Sequence, residues 1–328
     1  MTIATRPIGK TDVKVSEVAF GCASIGNLYR EVSDQDALAV LAAAWQAEIR
    51  YFDSAPHYGR GLSETRLGAF VKDKPRDTYV ISTKVGRILT PGAQLAEADS
   101  YIKPLPNDVR YDYSGDGIEA ALEGSRARLG TDYIDIVYVH DIGAYTHGAA
   151  SQGHMEDFLG SGYDRLVRLK EQGRIGAFGL GVNENEVCLD VMAHGPIDVI
   201  LLAGRLTLLD RSAEAVLVPT CKTAGTSLVL GGVFNSGILA TGPIEGAMYD
   251  YQPASPETLD QVARLQAQAL KMGLQLASAA LHFAQRHPSA ASVLLGTSKP
   301  SSLMRNLDAL AQPVPGGFDL VPWLDTVD

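Results

Sequence analysis

Short apolar runs alternate with helical patterns along almost the whole chain, and this alternation constrains the fold more than any other feature. Eight runs have the length and composition of strands; they cover residues 18–21, 49–53, 79–84, 133–140, 175–181, 199–203, 227–231 and 292–295. They are largely apolar throughout, as expected for strands covered on both faces. A strand–helix repeat predicts a parallel sheet, and eight units favour a closed (β/α)₈ barrel over a doubly wound sheet.

The helices between these strands are predicted from apolar stripes and end signals. Ser33 with Asp36 has the form of a capping box, Ser63 stands where a second helix should be capped, and Gly130 stands where a helix should stop. The predicted helices cover residues 34–45, 63–71, 117–129, 163–172, 185–193, 212–224, 256–272, 275–286 and 300–311. Residues 6–15 predict a short N-terminal β-hairpin. No break in composition divides the chain, so we expect a single domain over residues 1–328.

In two long segments the apolar residues do not repeat at the spacing of a helix or a strand. Residues 86–116 are rich in Gly, Pro, Asp and Tyr, and residues 143–160 are rich in Gly. Both follow predicted strands, which places them as long loops at the carboxyl-terminal face of the barrel. A loop as long as 86–116 in a compact domain is usually functional. We expect it to be either a lid over a pocket or an ordered surface loop.

Composition excludes several classes of partner and chemistry. The chain has 328 residues and a net charge of −10, which argues against nucleic acid and anionic membrane surfaces. It contains no apolar run long enough to span a membrane, and its first residues lack the apolar segment of a signal peptide. Cys22, Cys188 and Cys221 are few and far apart, which fits buried thiols in a reducing cytoplasm better than disulfides or a metal site.

Four residues with reactive side chains fall at the carboxyl ends of successive predicted strands. Asp53, Lys84 and His140 lie at strand ends, and Tyr58 lies in the turn after the second strand. Each alone has an ordinary structural explanation: a loop carboxylate, a solvated strand end, a core histidine and a buried tyrosine. In a barrel, however, these positions surround the carboxyl-terminal mouth, which is where barrel enzymes have their active sites. We therefore expect the four side chains to converge on one substrate carbonyl.

The motifs around these residues resemble those of the aldo-keto reductase family. They are residues 53–59 (DSAPHYG), 64–68 (ETRLG), 82–84 (STK) and 139–141 (VHD), in the family's order and spacing. The resemblance implies that Tyr58 donates or accepts a proton and that Lys84 favours the ionised form of Tyr58. It also implies that Asp53 positions Lys84 and that His140 orients the substrate oxygen. A phenol has an ordinary pKa near 10, and a nearby ammonium favours its ionised form. Hydride transfer to or from a nicotinamide would then be the chemistry of the cofactor.

The resemblance also places a nicotinamide cofactor, although no G-x-G-x-x-G motif follows a strand. Asn183 stands where the family binds the carboxamide, and Leu206 stands where it usually stacks a tyrosine on the nicotinamide ring. Residues 231–239 match the segment that covers the pyrophosphate, with glycines that permit close approach of the backbone. Its candidate contacts are Phe234, Ser236, Gly237 and Leu239.

The last strand and helix carry the candidate adenosine contacts Gly296, Ser298, Ser302 and Asn306. NADP-dependent relatives have a basic residue and an arginine where this chain has Gly296 and Ser302. A 2′-phosphate would therefore lose its bidentate partner, and we expect NAD to be preferred. NADP stays open as an alternative because Lys299 and Arg305 lie close by in the sequence.

Within the family, the motifs most resemble a bacterial branch whose members oxidise the anomeric hydroxyl of aldoses such as L-fucose or D-threo-aldoses to lactones. A relative of that branch oxidises pyridoxal, also a cyclic hemiacetal, and the sequence does not choose between these small-molecule substrates. His57 and Arg205 are candidate substrate contacts, or else ordinary polar surface residues. Because fold does not determine function, a non-catalytic nucleotide-binding subunit is the remaining alternative.

Overall fold

The computed structural model describes residues 3–320 and 323, and eight parallel strands close into a barrel at its centre. The strands are β1 Thr5–Pro7, β2 Lys14–Ser16, β3 Val18–Gly21, β4 Tyr51–Asp53, β5 Val80–Val85, β6 Arg87–Pro91, β7 Glu97–Ala98, β8 Tyr101–Ile102, β9 Asn107–Tyr111, β10 Ile134–His140, β11 Ile175–Val182, β12 Val199–Ala203, β13 Ser227–Gly231, β14 Met248–Tyr249, β15 Gln252–Pro253 and β16 Ala290–Gly296. Around the barrel the order is β3, β4, β5, β10, β11, β12, β13 and β16, which pairs again with β3. The predicted (β/α)₈ barrel is confirmed.

Helices cover the outside of the barrel. They are α1 Asp34–Gln46, α2 Leu62–Val71, α3 Gly115–Leu129, α4 Ala144–His147, α5 Ser151–Asp157, α6 Tyr163–Glu171, α7 Glu186–His194, α8 Leu217–Ala224, α9 Ile238–Thr241, α10 Pro256–Lys271, α11 Leu276–Arg286 and α12 Pro300–Ala311. The capping box at Ser33 is present, since its hydroxyl accepts from the Asp36 amide at 3.1 Å. Gly130 ends α3 in the left-handed conformation, as predicted.

Side-chain alternation along the strands decides what faces the barrel interior. Phe52 points outward and packs beside Trp45 of α1, whereas Tyr51 points inward and meets Tyr138, hydroxyl to hydroxyl, at 2.9 Å. Asp53 lies two residues beyond Tyr51 and therefore faces inward at the carboxyl end. The N-terminal hairpin β1–β2 pairs antiparallel as predicted, and its buried Ile8 joins the interior cluster at the opposite end of the barrel.

Four local predictions were wrong. Helix α2 begins at Leu62 after a left-handed Gly61, and Ser63 does not cap it, because the Ser63 hydroxyl donates to the Cys22 carbonyl at 2.8 Å. Residues 86–116 are not a featureless loop: β6 pairs antiparallel with β9, and β7 with β8. Residues 143–160 are mainly helical, and α8 begins at Leu217 rather than at 212. We call β6, β9 and the chain between them the ribbon.

No helix in the described part of the chain is both long and apolar enough to cross a membrane.

Candidate active site

Asp53 and Lys84 form a buried ion pair at the carboxyl end of β4 and β5. The Lys84 Nζ donates to Asp53 Oδ2 at 2.7 Å and to the Ser54 carbonyl at 2.9 Å. The other carboxylate oxygen, Oδ1, accepts from the Ser82 hydroxyl at 2.7 Å. Both residues are almost fully buried, at 0% and 2% exposure. Burial raises the pKa of Asp53, and the Lys84 charge and these hydrogen bonds oppose that rise.

Tyr58 is held over this pair by a tight turn. Its amide donates to the Ala55 carbonyl at 3.1 Å, and the next residue, Gly59, has φ +65°. A Cβ at Gly59 would run into the Gly26 carbonyl, so only glycine fits where the two backbones touch. The Lys84 Nζ lies 4.6 Å from the centre of the Tyr58 ring. The His140 ring stands perpendicular to the Tyr58 ring, with centroids 6.0 Å apart. The four predicted side chains therefore gather at one mouth.

The Tyr58 phenol is a weaker acid here than the sequence suggested. Burial raises its pKa well above the ordinary value, the Asp53 and Asp141 carboxylates add to the rise, and Arg87 opposes it. Lys84 does not reverse this shift, because its charge is paired with the Asp53 carboxylate at 2.7 Å. The surroundings of Tyr58 thus oppose the ionised form that the sequence led us to expect.

Arg87, which the sequence reasoning missed, lies behind His140. Its Nη1 is 3.0 Å from His140 Nδ1, and its Nη2 donates to Asp141 Oδ2 at 3.0 Å. The residue is only 3% exposed, although it lies at the start of the ribbon. The single available signal was its place three residues after Lys84, at the head of a segment with no clear period.

His57 and Tyr101 complete an aromatic wall beside Tyr58. The His57 ring is 5.3 Å from the Tyr101 ring and 5.8 Å from the His140 ring, centroid to centroid. Tyr101 comes from β8 in the middle of the ribbon and stacks on Tyr58 at 6.2 Å. Burial, followed by the charge of Arg87, lowers the pKa of His57, so its ring is neutral. The ribbon thus lies against the site, and the candidate substrate contact His57 is beside the catalytic side chains.

Arg205 has a different environment from His57. Its Nε donates to the Asn183 carbonyl at 2.8 Å, and its Nη atoms donate to Asp210 at 3.2 Å and to Asp250 at 3.0 Å. The guanidinium therefore joins the chain after β11, the chain after β12 and the β14–β15 hairpin. A substrate contact by Arg205 stays a prediction, and it would have to compete with these ion pairs.

The predicted nicotinamide contacts lie after β11 and β12, and the predicted pyrophosphate contacts lie after β13. The Asn183 side-chain oxygen is buried and has no hydrogen-bond partner among the described residues, which fits an acceptor for a carboxamide N–H. Leu206 is 1% exposed and packs in the main core, so little of its side chain is left to cover a ring. Leu239 is fully buried, and Phe234 packs between two core clusters.

The backbone of residues 231–239 makes a tight turn. Gly232, Asn235, Ser236 and Gly237 all have positive φ, and the Ser236 hydroxyl accepts from the Tyr251 amide at 3.0 Å. Amides of this turn donate within it, since Asn235 donates to the Gly232 carbonyl at 2.8 Å and Gly237 to the Phe234 carbonyl at 3.0 Å. A contact between this segment and a pyrophosphate stays a prediction.

The predicted adenosine contacts gather at the start of α12. Gly296 is exposed, Ser298 is 8% exposed, and the Ser302 hydroxyl accepts from Arg305 Nη2 at 3.2 Å. Asn306 lies one turn further along the helix and is half-buried. Arg30, from the chain after β3, donates to the Ser298 hydroxyl. Sequence reasoning missed Arg30 because it lies more than 260 residues away from this segment.

The three cysteines carry buried thiols of low acidity. Cys22, Cys188 and Cys221 are free and buried, as predicted, and burial raises the pKa of each thiol. No three metal-ligating side chains cluster in the described part of the chain.

Comparison with known proteins places this site in a family. The model of the aldo/keto reductase family matches residues 17–315, which include every candidate site residue. The chain belongs to the aldo-keto reductase family. As an aldo-keto reductase it is an oxidoreductase that acts on small molecules, and membership implies a nicotinamide dinucleotide as its cofactor.

Two curated relatives cover almost the whole of this aldo-keto reductase. It is 36% identical over 311 residues to a D-threo-aldose 1-dehydrogenase of a Pseudomonas species, which covers 93% of this chain and 92% of the relative. It is 38% identical over 325 residues to a pyridoxal 4-dehydrogenase of Microbacterium luteolum, covering 95% and 94%. Among solved structures, an aldo-keto reductase of Bacillus halodurans in its holo form matches with a TM-score of 0.75 and 25% identity, covering 95% and 92%.

Proposed function

We propose that this aldo-keto reductase oxidises the hemiacetal hydroxyl of an aldose, of the L-fucose or D-threo-aldose type, to a lactone with NAD as the oxidant. The observation that carries the proposal is the position of Lys84 Nζ, bound to Asp53 at 2.7 Å and 4.6 Å from the centre of the Tyr58 ring. Such an arrangement serves proton transfer at a substrate oxygen. The D-threo-aldose 1-dehydrogenase among its relatives supports an aldose as the substrate.

The residues would divide the reaction as follows. NAD held at this mouth would supply the acceptor for the hydride that leaves the anomeric carbon. The Tyr58 phenolate takes the hydroxyl proton, so the C–H and O–H bonds break as the lactone C=O forms. Lys84 would lie beside the phenolate as an ammonium already paired with Asp53, and the buried ion pair keeps it in place. The His140 imidazole, 6.0 Å from the Tyr58 ring between centroids, directs the substrate oxygen toward the phenol.

The cofactor contacts are proposed from the same environment. Asn183, with its unpartnered buried oxygen, would accept from the carboxamide, and residues 231–239 would lie against the pyrophosphate. Ser302 and Gly296 provide no cation for a 2′-phosphate, which supports NAD over NADP. Arg30 and Arg305, which reach Ser298 and Ser302, are the cations an NADP-dependent enzyme could recruit there.

Pyridoxal is the second candidate substrate. The similarity to a pyridoxal 4-dehydrogenase favours it, as does the wall formed by His57 and Tyr101, whose rings lie 5.3 Å apart. Neutral aromatic side chains can pack against a pyridine ring. The remaining alternative is a nucleotide-binding subunit without activity. Such a subunit would not need the buried Asp53–Lys84 ion pair.

A spectrophotometric assay separates these candidates. NADH or NADPH formation is followed with L-fucose, D-threo-aldoses, other aldoses and pyridoxal, each with NAD and with NADP, and the Tyr58→Phe variant controls for contaminating enzymes. The proposal expects the highest kcat/KM with an aldose and NAD. A higher kcat/KM with pyridoxal would select the second candidate. Nucleotide binding with no turnover of any substrate would select the non-catalytic subunit.

A further inference from the structure

Arg87 is a buried cation that the proposed reaction leaves without a role. It lies at the start of β6, and its Nη1 atom approaches His140 Nδ1 at 3.0 Å. The backbone of His140 is held as well, since the Tyr113 hydroxyl donates to its carbonyl at 2.7 Å. The imidazole is therefore fixed in position, and its Nδ1 faces the Arg87 guanidinium.

A guanidinium can only donate hydrogen bonds, and it does not lose its proton in proteins. At 3.0 Å the Nδ1 atom of His140 must therefore be the acceptor. A neutral imidazole carries one N–H, so the proton has to lie on Nε2. An imidazolium would set its Nδ1–H against the guanidinium N–H, two donors and two positive charges at contact distance.

Some groups around His140 disfavour its imidazolium form, and one group favours it. Burial and then the charges of Arg87 and Lys84 lower its pKa, and the neighbouring His57 ring is itself neutral. Asp141 opposes them, because its Oδ2 lies 3.3 Å from His140 Nε2 and would stabilise an imidazolium. That same oxygen accepts from Arg87 Nη2 at 3.0 Å, so Arg87 also satisfies the carboxylate. The remaining neighbours with titratable side chains are neutral or already paired: Tyr58, Tyr101 and Asp53.

We propose that Arg87 is a positioning residue that holds His140 in the neutral form with its proton on Nε2. It does so by donating to Nδ1 and by sharing the Asp141 carboxylate that would otherwise favour the imidazolium. His140 then presents a single uncharged donor to the substrate oxygen. For the role of that donor in turnover the inference rests on the proposed function; for the protonation state of His140 it does not.

A neutral donor suits the oxidation of a hydroxyl. The carbon that loses hydride becomes electron-poor in the transition state, and a positive imidazole beside it would raise the barrier. Lys84 already provides one positive charge at this site, and that charge is neutralised by Asp53. A second cation at His140 would have no partner of its own, because Asp141 is bound to Arg87.

Nitrogen NMR of histidine-labelled protein tests the protonation state directly. The His140 signals are assigned by their loss in His140→Gln, and two-bond ¹H–¹⁵N correlations distinguish the two neutral tautomers from the imidazolium. The wild-type protein should show His140 as the neutral Nε2–H tautomer from pH 5 to pH 9, the span around the ordinary histidine pKa of about 6.5. A wild-type imidazolium, or a neutral ring with the proton on Nδ1, would overturn the inference whatever the enzyme's substrate is.

Variants of Arg87 test whether this residue causes the neutral form of His140. In Arg87→Met the His140 ring loses the donor to Nδ1 and the Asp141 carboxylate is no longer shared, so the pKa of His140 should rise and the imidazolium should appear at a higher pH than in the wild type. Arg87→Lys, which keeps a donating cation, should restore the neutral ring. Arg110→Met removes a charge from the same ribbon, where Arg110 pairs with Asp112 and not with His140, and should behave as the wild type. A His140 titration in Arg87→Met identical to that of the wild type would contradict the role given to Arg87.

The pH dependence of turnover provides the functional test. In Arg87→Met, kcat/KM for oxidation should fall about tenfold further for each pH unit below the new His140 pKa, as the loss of one required protonation state predicts. This fall adds to the decline at low pH that Tyr58 causes in every variant, and the added part should be absent in Arg87→Lys and Arg110→Met. If the NMR result holds but turnover follows the wild-type profile, His140 is neutral through Arg87 and the proposed role of the imidazole in oxidation is wrong.

Discussion

At the residue scale, the chemistry of this site is controlled by burial. Tyr58 lies beside Lys84 and Asp53. Of these three side chains only Lys84 and Asp53 are charged, and they form an ion pair at 2.7 Å. A paired ammonium has little effect on the ionisation of a neighbouring phenol, whereas loss of water disfavours the phenolate strongly. The raised pKa therefore favours the protonated form of Tyr58, which readily donates a proton and accepts one slowly.

Replacement of Tyr58 by phenylalanine should remove the proton transfer and leave the site otherwise intact. We expect Tyr58→Phe to lower kcat by roughly 10²- to 10⁴-fold, the usual contribution of a positioned acid or base. Steady-state kinetics checks this, with Tyr133→Phe as a control at the opposite end of the barrel, just before β10. A kcat for Tyr58→Phe within a few-fold of the wild type, a range well below that contribution, would rule out the proton transfer assigned to Tyr58.

The raised pKa of Tyr58 predicts opposite pH dependence for the two directions of the reaction. Oxidation needs the phenolate, so its kcat/KM should rise with pH from neutrality into the alkaline range. Reduction needs the phenol, which stays protonated across neutral pH, so its rate should be flat there and fall only at high pH. Rate profiles in both directions measure this. An oxidation rate that is already constant at neutral pH would show that another group accepts the proton.

At the scale of elements, a buried carboxylate ties two helices to the strand that carries Lys84. Glu64 in the first turn of α2 is 0% exposed, and it accepts from Thr83 of β5 at 2.5 Å and from Arg128 of α3 at 2.7 Å. Thr83 precedes Lys84, so the interaction also fixes the end of β5. The ETRLG motif thus contributes to the site through helix packing rather than by contact with a reactant.

Loss of Arg128 should leave the Glu64 carboxylate buried without its cation. We expect Arg128→Ala to lower the free energy of unfolding by about 3 kcal/mol, in the range for breaking a buried pair from one side. Urea denaturation followed by circular dichroism measures it. Arg126→Ala is the matched control on the same helix: its partner Glu123 is 49% exposed, so the loss should be below about 1 kcal/mol. Equal losses in the two variants would contradict this account.

At the scale of the whole molecule, barrel closure brings distant parts of the chain to one mouth. The end of β16 pairs with the end of β3, and the end of β3 pairs with the end of β4, at Gly296, Gly21 and Asp53. The proposed adenosine site at α12 therefore lies on the same face as the proton-transfer site. A dinucleotide bound along this face would contact segments after β11, β12, β13 and β16 together, so its binding should stabilise the folded barrel as a unit.

Thermal unfolding with each nucleotide should reveal the preferred cofactor. At 100 times its Kd a ligand stabilises the folded state by about 2.7 kcal/mol, so NAD should raise Tm more than the same concentration of NADP. The Ser302→Arg variant restores an arginine at the position where NADP-dependent relatives have one, and it should raise the Tm with NADP. A larger shift with NADP in the wild type would reverse the preference and point to Arg30 and Arg305 as its phosphate contacts.

Local sequence patterns were sufficient for the barrel and for the gathering of the site. The predicted strands of four to eight largely apolar residues and the helices with clear apolar stripes are short-range features, so the alternation could be followed along the chain. Because parallel strands of a barrel share one carboxyl end, the positions of Asp53, Lys84 and His140 at strand ends already implied that they meet. The type and spacing of these residues then indicated the family.

Only the tertiary structure decided how these groups behave. The ribbon forms through pairing between β6 and β9 across a long intervening segment, which no local period reveals, and so the sequence hid the contact of Arg87 with His140. Arg205 found its partners in the β14–β15 hairpin for the same reason. The acidity of Tyr58 depends on how much water the fold removes and on which charges are already paired. Those are properties of packing in three dimensions, and the linear order of residues does not contain them.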